Sequence, residues 1–122
     1  NVTDEASEIM LLFTPRGEFQ EIPLLLSHYF LKKKGHKIMY LGINTSIEVL
    51  ANYAESNPSF NLYFHLLTNF TDKEPTVYLQ ELAAAFPGKK IFASGPVFNE
   101  DFNYSDQVKV IQSYRELSAL KI

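Results

Sequence analysis

Short apolar runs alternate along this chain with longer segments in which apolar residues recur every three or four positions. The first run, Glu8–Phe13, is almost continuously apolar, which is typical of a strand buried on both faces of a sheet. In the third run Leu62, Phe64 and Leu66 alternate with other residues and so share one face. The pattern predicts five strands, at Glu8–Phe13, Lys37–Leu41, Phe60–Leu67, Lys90–Ala93 and Val108–Ile111.

Proline and lysine residues mark the ends of the first predicted helix. Proline costs about 3 kcal/mol inside a helix but little at the first helical position. Pro23 therefore predicts a helix that begins at Ile22 or Pro23 and leaves residues 17–21 as a loop. Lys32–Lys34 and Gly35 suit its C-terminal end, where positive charge and a left-handed residue are favoured.

Capping patterns place two of the other helices. Thr45 with Glu48 forms a predicted capping box after a turn at Gly42–Asn44, and Ser113 with Glu116 forms a second one. Asn57-Pro58 is predicted to end the second helix, and the third helix is predicted to begin at Pro75 and end at Pro87-Gly88. Residues 97–106 are predicted to form a loop or a short irregular helix. The predicted buried stripes are Ile47, Leu50, Ala51 and Ala54, then Tyr78, Leu79, Leu82 and Phe86, then Leu117 and Leu120.

Strands and helices alternate with short connections, which predicts an α/β fold. We expect a doubly wound, five-stranded parallel sheet in the order 2-1-3-4-5, a Rossmann/flavodoxin-like three-layer sandwich with right-handed crossovers. In such folds ligands bind at the carboxyl ends of the strands. The loop after the first strand would then form one wall of any ligand site. Residues 1–122 read as a single domain, and we expect it to be excised from a longer chain.

Composition narrows the function classes. The 122 residues are 46% hydrophobic and 20% charged, with a net charge of −3, which is typical of a globular domain that lacks the basic patch needed to bind nucleic acid. The chain contains no cysteine, so disulfides and thiolate metal sites are excluded. No apolar run approaches the roughly 20 residues that span a bilayer, and we expect a cytoplasmic protein with no membrane partner.

Several common doubly wound families lack their motifs in this sequence. A phosphoacceptor domain needs an aspartate where the third strand ends, yet Leu67, Thr68 and Asn69 occupy that place. A dinucleotide site needs three glycines in the first turn, which has only Gly17. The three histidines have no metal-ligand spacing, and we interpret His65 as a satisfied core residue. We expect no metal site, no catalytic residues and no enzymatic activity.

Four stretches in order resemble the cobalamin-binding domain found at the C-terminus of MerR-type bacterial transcription regulators. The resemblance covers nearly the whole chain, from Glu8 to Leu120, and rests on these four stretches. They are Gly17–Ile22, similar to the family's acidic-x-His-x-x-Gly loop; Leu31–Ile38, similar to its basic helix end and glycine before strand two; Tyr40–Thr45, similar to its Leu-Gly turn; and Ser94–Pro96, at the place of its glycine pair.

The sequence departs from this family at the cobalamin site. The resemblance implies a cobalt-binding histidine where Gln20 stands, and a glutamine amide is a poor ligand for cobalt. Pro23 replaces the loop glycine, and the small residue that lines the tunnel for the dimethylbenzimidazole tail corresponds to Leu67 or Thr68. Only Gly95 remains of the glycine pair. We expect no bound cofactor from a lost or altered site, with cobalamin the possible exception.

Polar residues of the predicted strand ends form the candidate ligand pocket. Glu18 and Glu21 would contact ligand amides or would instead be carboxylates favoured by the helix dipole. Phe19 and Phe98, with Phe70 and Phe102, are loop aromatics that indicate a covered pocket or a protein interface. The candidate ligand-binding residues are Glu18, Gln20, Glu21, Asn44, Thr45, Thr68, Asn69, Ser94 and Gly95.

The resemblance implies a regulatory domain of a MerR-like regulator. DNA would be bound only through an N-terminal winged helix-turn-helix domain outside this chain, and a small-molecule effector and a homo-oligomer are possible partners. One alternative is a cobalamin carrier domain of a mutase or methyltransferase. Another is an interaction module that uses the former pocket face to dimerise.

Overall fold

The computed structural model describes residues 9–56, 59–67, 74–98 and 105–119. Within these ranges the chain forms five strands and four helices. The strands are β1 Ile9–Pro15, β2 Lys37–Thr45, β3 Phe60–His65, β4 Ile91–Ser94 and β5 Val108–Ile111. The helices are α1 Ile22–Lys33, α2 Ile47–Ser56, α3 Pro75–Ala85 and α4 Tyr114–Ser118.

The five strands form one parallel sheet in the order β2-β1-β3-β4-β5, which confirms the predicted doubly wound α/β fold. Ile9 at the start of β1 is level with Lys37 of β2 on one side and with Phe60 of β3 on the other. The carboxyl ends of β1, β3 and β4 therefore meet at one edge of the sheet. This edge is where a ligand site is expected in a fold of this class.

Side chains from the two faces of the sheet form two cores. On one face Leu11, Phe13 and Phe64 pack with the buried sides of α2 and α3, including Leu50 and Leu82. The predicted alternation of β3 is confirmed, because Leu62, Phe64 and Leu66 all belong to this core. The second core contains Met10, Leu12, Tyr63 and Phe92 from the sheet, Leu24 and Leu31 from α1, and Leu117 from α4.

The prediction of a turn at Gly42–Asn44 is wrong, because β2 continues to Thr45. The register between β1 and β2 shifts after Leu12, so that Phe13 pairs with Gly42 and Pro15 with Thr45. Gly42 has φ of 93° and Asn44 has φ of 55°, and these left-handed residues accommodate the irregularity without ending the strand.

The predicted capping box of Thr45 is also wrong. Thr45 lies within β2, and its hydroxyl donates to the Gly42 carbonyl. The hydroxyl oxygen of Ser46 instead accepts from the backbone N–H of Val49, so Ser46 caps α2. The extra length of β2 therefore moves the start of the helix by one residue.

The other predicted limits agree with the structure to within one or two residues. Helix α1 begins at Ile22 with Pro23 in its first turn, and α4 is capped by Ser113, which accepts from the Glu116 N–H. Strand β3 ends at His65 rather than Leu67. No described helix is long and apolar enough to cross a membrane. The predictions for Glu8, Asn57-Pro58, Thr68–Asp72, most of residues 97–106 and Leu120 fall wholly or partly outside the described residues.

Candidate functional site

The loop between β1 and α1 is fixed to the sheet by Glu18. This side chain is fully buried, and its Oε1 accepts a 2.6 Å hydrogen bond from the backbone N–H of Leu67, just beyond β3. Its other oxygen accepts from the N–H of Gln20 at 3.1 Å. A carboxylate bonded by backbone donors is a charge-assisted arrangement, stronger than a pair of neutral groups. Glu18 therefore joins the loop to the neighbouring strand.

Thr14 and Asn44 hold the same loop from the other side. The Thr14 hydroxyl donates to the Glu18 carbonyl at 2.8 Å and accepts from the Asn44 N–H at 2.9 Å. The Asn44 side-chain oxygen accepts from the Gly17 N–H at 2.9 Å. The left-handed backbone of Asn44 thus serves to bring its amide back towards β1. Polar side chains at this edge satisfy the protein's own backbone.

The remaining polar residues of the loop lie on the surface. Gln20 and Glu21 are both exposed. Glu21 is the N-cap residue of α1 but makes no side-chain cap, and its carboxylate accepts instead from the Tyr40 hydroxyl at 2.7 Å. Burial and this hydrogen bond raise the pKa of Tyr40 above its usual range. Glu21 therefore lies at the N-terminus of α1, as one of the two interpretations predicts, but without a capping hydrogen bond, and Glu18 is bonded to Gln20 and Leu67 instead.

A cavity of about 520 Å³ lies between α1, the ends of β3 and β4, and α4. This volume is within the usual range of small-molecule sites. Apolar side chains form much of its wall, and none of the described lining residues is Lys, Arg, Asp or Glu. The lining residues are Ser27, Tyr63, His65, Ser94, Gly95, Pro96, Phe98, Ile111, Gln112, Ser113 and Leu117.

A chain of hydroxyl groups crosses one wall of this cavity. The Tyr63 hydroxyl donates to Ser94 Oγ at 3.1 Å and is 3.3 Å from Ser27 Oγ. Ser27 in turn lies within 3.1 Å of the Pro23 carbonyl, to which it donates. Ser94 Oγ is also 2.8 Å from His65 Nδ1. With these donors the hydrogen-bonded chain runs from Tyr63 through Ser94 to His65, and Ser27 of α1 lies beside its Tyr63 end.

His65 ends this chain with one nitrogen unused. Its Nε2 is buried and has no hydrogen-bond partner among the described residues. If the Tyr63 hydroxyl donates to Ser94, the hydrogen of Ser94 can go to His65 Nδ1, and Nε2 then carries the ring hydrogen. Burial lowers the pKa of His65, and the nearby charge of Glu18 opposes this effect. The interpretation of His65 as a satisfied core residue is wrong for half of its ring.

Gly95 shapes the cavity through its backbone. Its φ is 123°, a conformation that residues with a side chain rarely adopt. A Cβ at this position would overlap the carbonyl group of Leu66. Glycine is therefore required for β4 to turn this close to the end of β3.

The structure brings only part of the predicted ligand set together. Ser94 and Gly95 line the cavity, whereas Thr68 and Asn69 lie outside the described residues. The other five predicted residues, Glu18, Gln20, Glu21, Asn44 and Thr45, do not line it. The loop after β1 is therefore not a wall of this cavity, although its role toward another ligand stays a prediction.

Sequence reasoning missed the residues that give the cavity its chemistry. Ser27 and Tyr63 lie inside elements whose pattern predicts a core, and the sequence places His65 in the core as well. Their only signal was that three polar side chains occur in otherwise apolar segments. Among the loop aromatics, Phe98 is buried in the cavity wall, whereas Phe19 is exposed.

The residues present do not fit a cobalt-bound cobalamin. Gln20 supplies an exposed amide in place of an imidazole, and both oxygens of the acidic residue in the same motif, Glu18, are already bonded to backbone donors. The motif positions thus stabilise the loop itself.

Comparison with known proteins shows the fold. No protein-family model matches the chain, and no curated protein matches it. Among solved structures, a novel cobalamin-binding protein from Desulfitobacterium hafniense DCB-2 is similar, with a TM-score of 0.65 and 14% identity over 79% of this chain and 48% of that chain. This chain thus spans about half the length of that protein. The similarity shows that the chain has the fold of a cobalamin-binding protein.

Proposed function

We propose that this chain is an effector-sensing domain of a MerR-like transcription regulator, in which the cobalamin site has been replaced by a smaller ligand site. The cavity carries the proposal, since its volume suits a small molecule and its apolar wall includes polar residues such as His65 and Ser94. The fold supports it, because the similar solved structure is that of a cobalamin-binding protein. DNA binding and the regulatory role rest on the sequence resemblance.

The chemistry of the cavity selects the effector. Burying a charged ligand without an opposite charge is costly, and the described lining residues provide no ionisable carboxylate, lysine or arginine. Phe98, Ile111 and Leu117 offer apolar contact, while the Gln112 and Ser113 side chains offer polar groups. We infer an uncharged, largely apolar molecule with at least one hydrogen-bonding atom. Such a molecule would be held non-covalently, and we propose no enzymatic activity.

A matched pair of ligands tests this site. Neutral heteroaromatic fragments, with indole-3-acetamide as one member, are screened by ligand-observed NMR against the whole chain, and indole-3-acetate serves as the anionic counterpart. We expect neutral fragments to bind with millimolar or tighter affinity and the anion to bind at least tenfold more weakly. A library of neutral fragments that yields no binder at millimolar concentration would contradict the proposed site.

Two histidine variants locate the binding. His65→Phe keeps a ring of similar size but removes both ring nitrogens and the contact with Ser94 in the cavity wall. Because the wall then loses polar groups, we expect at least a tenfold loss of affinity. His28→Phe is the matched control, because His28 is also half-buried but stacks on Tyr40 outside the cavity. Equal effects of both substitutions would place the fragments elsewhere.

The regulatory context requires a separate test. The coding sequence on the N-terminal side of Asn1 is expected to encode a winged helix-turn-helix domain, and the protein is expected to act in the cytoplasm. A barrel domain of a mutase or methyltransferase in that position would instead favour the cobalamin carrier. The exposed Gln20 argues against the carrier.

A further inference from the structure

Helix α1 has a second apolar stripe that faces away from the core. Its buried side consists of Leu24, Ser27 and Leu31. An ordinary surface helix has polar residues on the opposite side, but here the spacing i, i+3, i+4, i+7 repeats in large apolar side chains. We call this stripe, with one residue of the preceding loop, the α1 outer face: Phe19 (63% exposed), Ile22 (71%), Leu25 (46%), Leu26 (42%) and Tyr29 (57%).

The area of the α1 outer face is large enough to form one side of a small interface. Large apolar and aromatic side chains present up to 150–250 Å² each, so the five exposed fractions amount to an area on the order of 500 Å². This value equals the largest apolar patch of a typical monomer, which is often functional. Two such patches in contact bury on the order of 1,000 Å² in total, the lower limit for a specific interface.

Charge favours contact with a second copy in an antiparallel orientation. Glu21 lies just before α1, and Lys32–Lys34 follow the stripe at the other end. A twofold axis between Leu25 and Leu26 places Ile22 opposite Tyr29 of the other copy. At 1.5 Å per residue the two Lys33 residues are then about 22 Å apart along the helices, and each lysine cluster lies near the other copy's Glu21. Parallel helices would place the lysines together.

We propose that the α1 outer face is the interface of an isologous homodimer in which two α1 helices pack antiparallel. The proposal does not depend on the ligand cavity. Each copy contributes the same residues to this interface, as closed twofold symmetry requires. The antiparallel order also sets the two helix dipoles in opposite directions.

Sedimentation equilibrium of the whole chain tests the interface. We expect a monomer–dimer equilibrium in the micromolar range, weakened at least tenfold by Leu26→Glu and also by Leu25→Glu, since either places two carboxylates near the axis. Val77→Glu is the matched control, because Val77 is 40% exposed on α3. Circular dichroism checks that each variant is folded. A wild-type monomer at millimolar concentration would overturn the proposal, as would a dimer unaffected by either α1 substitution.

Disulfide cross-linking tests the orientation. The natural sequence has no cysteine, so each introduced cysteine is the only one present. Leu26→Cys should cross-link rapidly under mild oxidation, because the two copies meet there. Lys33→Cys should not, since the two sites are expected about 22 Å apart. Cross-linking through position 33 but not position 26 would refute the antiparallel arrangement.

Discussion

Replacing Glu18 by alanine tests whether the β1–α1 loop is held by a buried carboxylate. In the structure this carboxylate accepts from the N–H groups of Leu67 and Gln20, at 2.6 and 3.1 Å. Glu18→Ala removes both acceptors and leaves the Leu67 N–H without its partner. Glu18→Gln keeps an acceptor of similar shape but removes its charge.

The expected loss follows from the number and type of hydrogen bonds. A hydrogen bond to a charged group contributes about 1.5–3 kcal/mol, and a buried donor left without a partner costs about 1–3 kcal/mol. We expect Glu18→Ala to reduce the free energy of unfolding by about 3 kcal/mol. For a domain of this size that loss lowers Tm by about 10 °C. Glu18→Gln should lose about half as much.

Urea denaturation with a surface control measures this effect. Glu55→Ala, on the exposed side of α2, should change stability by no more than about 0.5 kcal/mol. Native-state hydrogen exchange should show faster exchange of the Leu67 amide in Glu18→Ala. A loss below about 1 kcal/mol, with unchanged protection of that amide, would refute the role assigned to Glu18.

Two further predictions concern the cavity wall. Gly95→Ala should reduce the free energy of unfolding by more than about 3 kcal/mol, because its Cβ would overlap the Leu66 carbonyl. Gly88→Ala, with open space around it, should reduce it by about 1 kcal/mol. Equal losses of the two variants in urea denaturation would contradict the close approach of Gly95 to Leu66. The pKa of His65, followed by NMR, should lie below its ordinary value of 6.5 because of burial. The unfolded chain then binds the proton more readily, so this residue's contribution to stability is complete above pH 6.5 and is lost as the pH falls from there. A pKa at or above 6.5, or a His65→Gln variant with the wild-type pH dependence, would contradict this assignment.

Local signals were sufficient for the fold. Pro23 and Pro75 each lie in the first turn of a helix, as proline geometry requires. Strand positions followed from apolar runs whose length and flanks left little choice. The capping error at Thr45 arose because a strand can continue through left-handed residues such as Asn44, which the sequence presents as a turn.

The residues of the candidate site could not be predicted in the same way. Glu18 is 49 residues from its partner Leu67, so nothing near it in sequence indicates that its carboxylate is buried. The hydroxyl chain likewise depends on Ser27, Tyr63 and Ser94 meeting across three elements. Sequence reasoning located the edge of the sheet at which the cavity lies but could not say which polar residues turn inward.

Titration of the whole chain with methylcobalamin and hydroxocobalamin, followed by visible absorbance, tests the central claim most directly. The cobalamin-binding protein of the same fold from Desulfitobacterium hafniense serves as the positive control. With Gln20 exposed and Glu18 bonded to the backbone, we predict no spectral change and no protein-bound chromophore after gel filtration. Binding of either cobalamin with micromolar or tighter affinity would contradict the account.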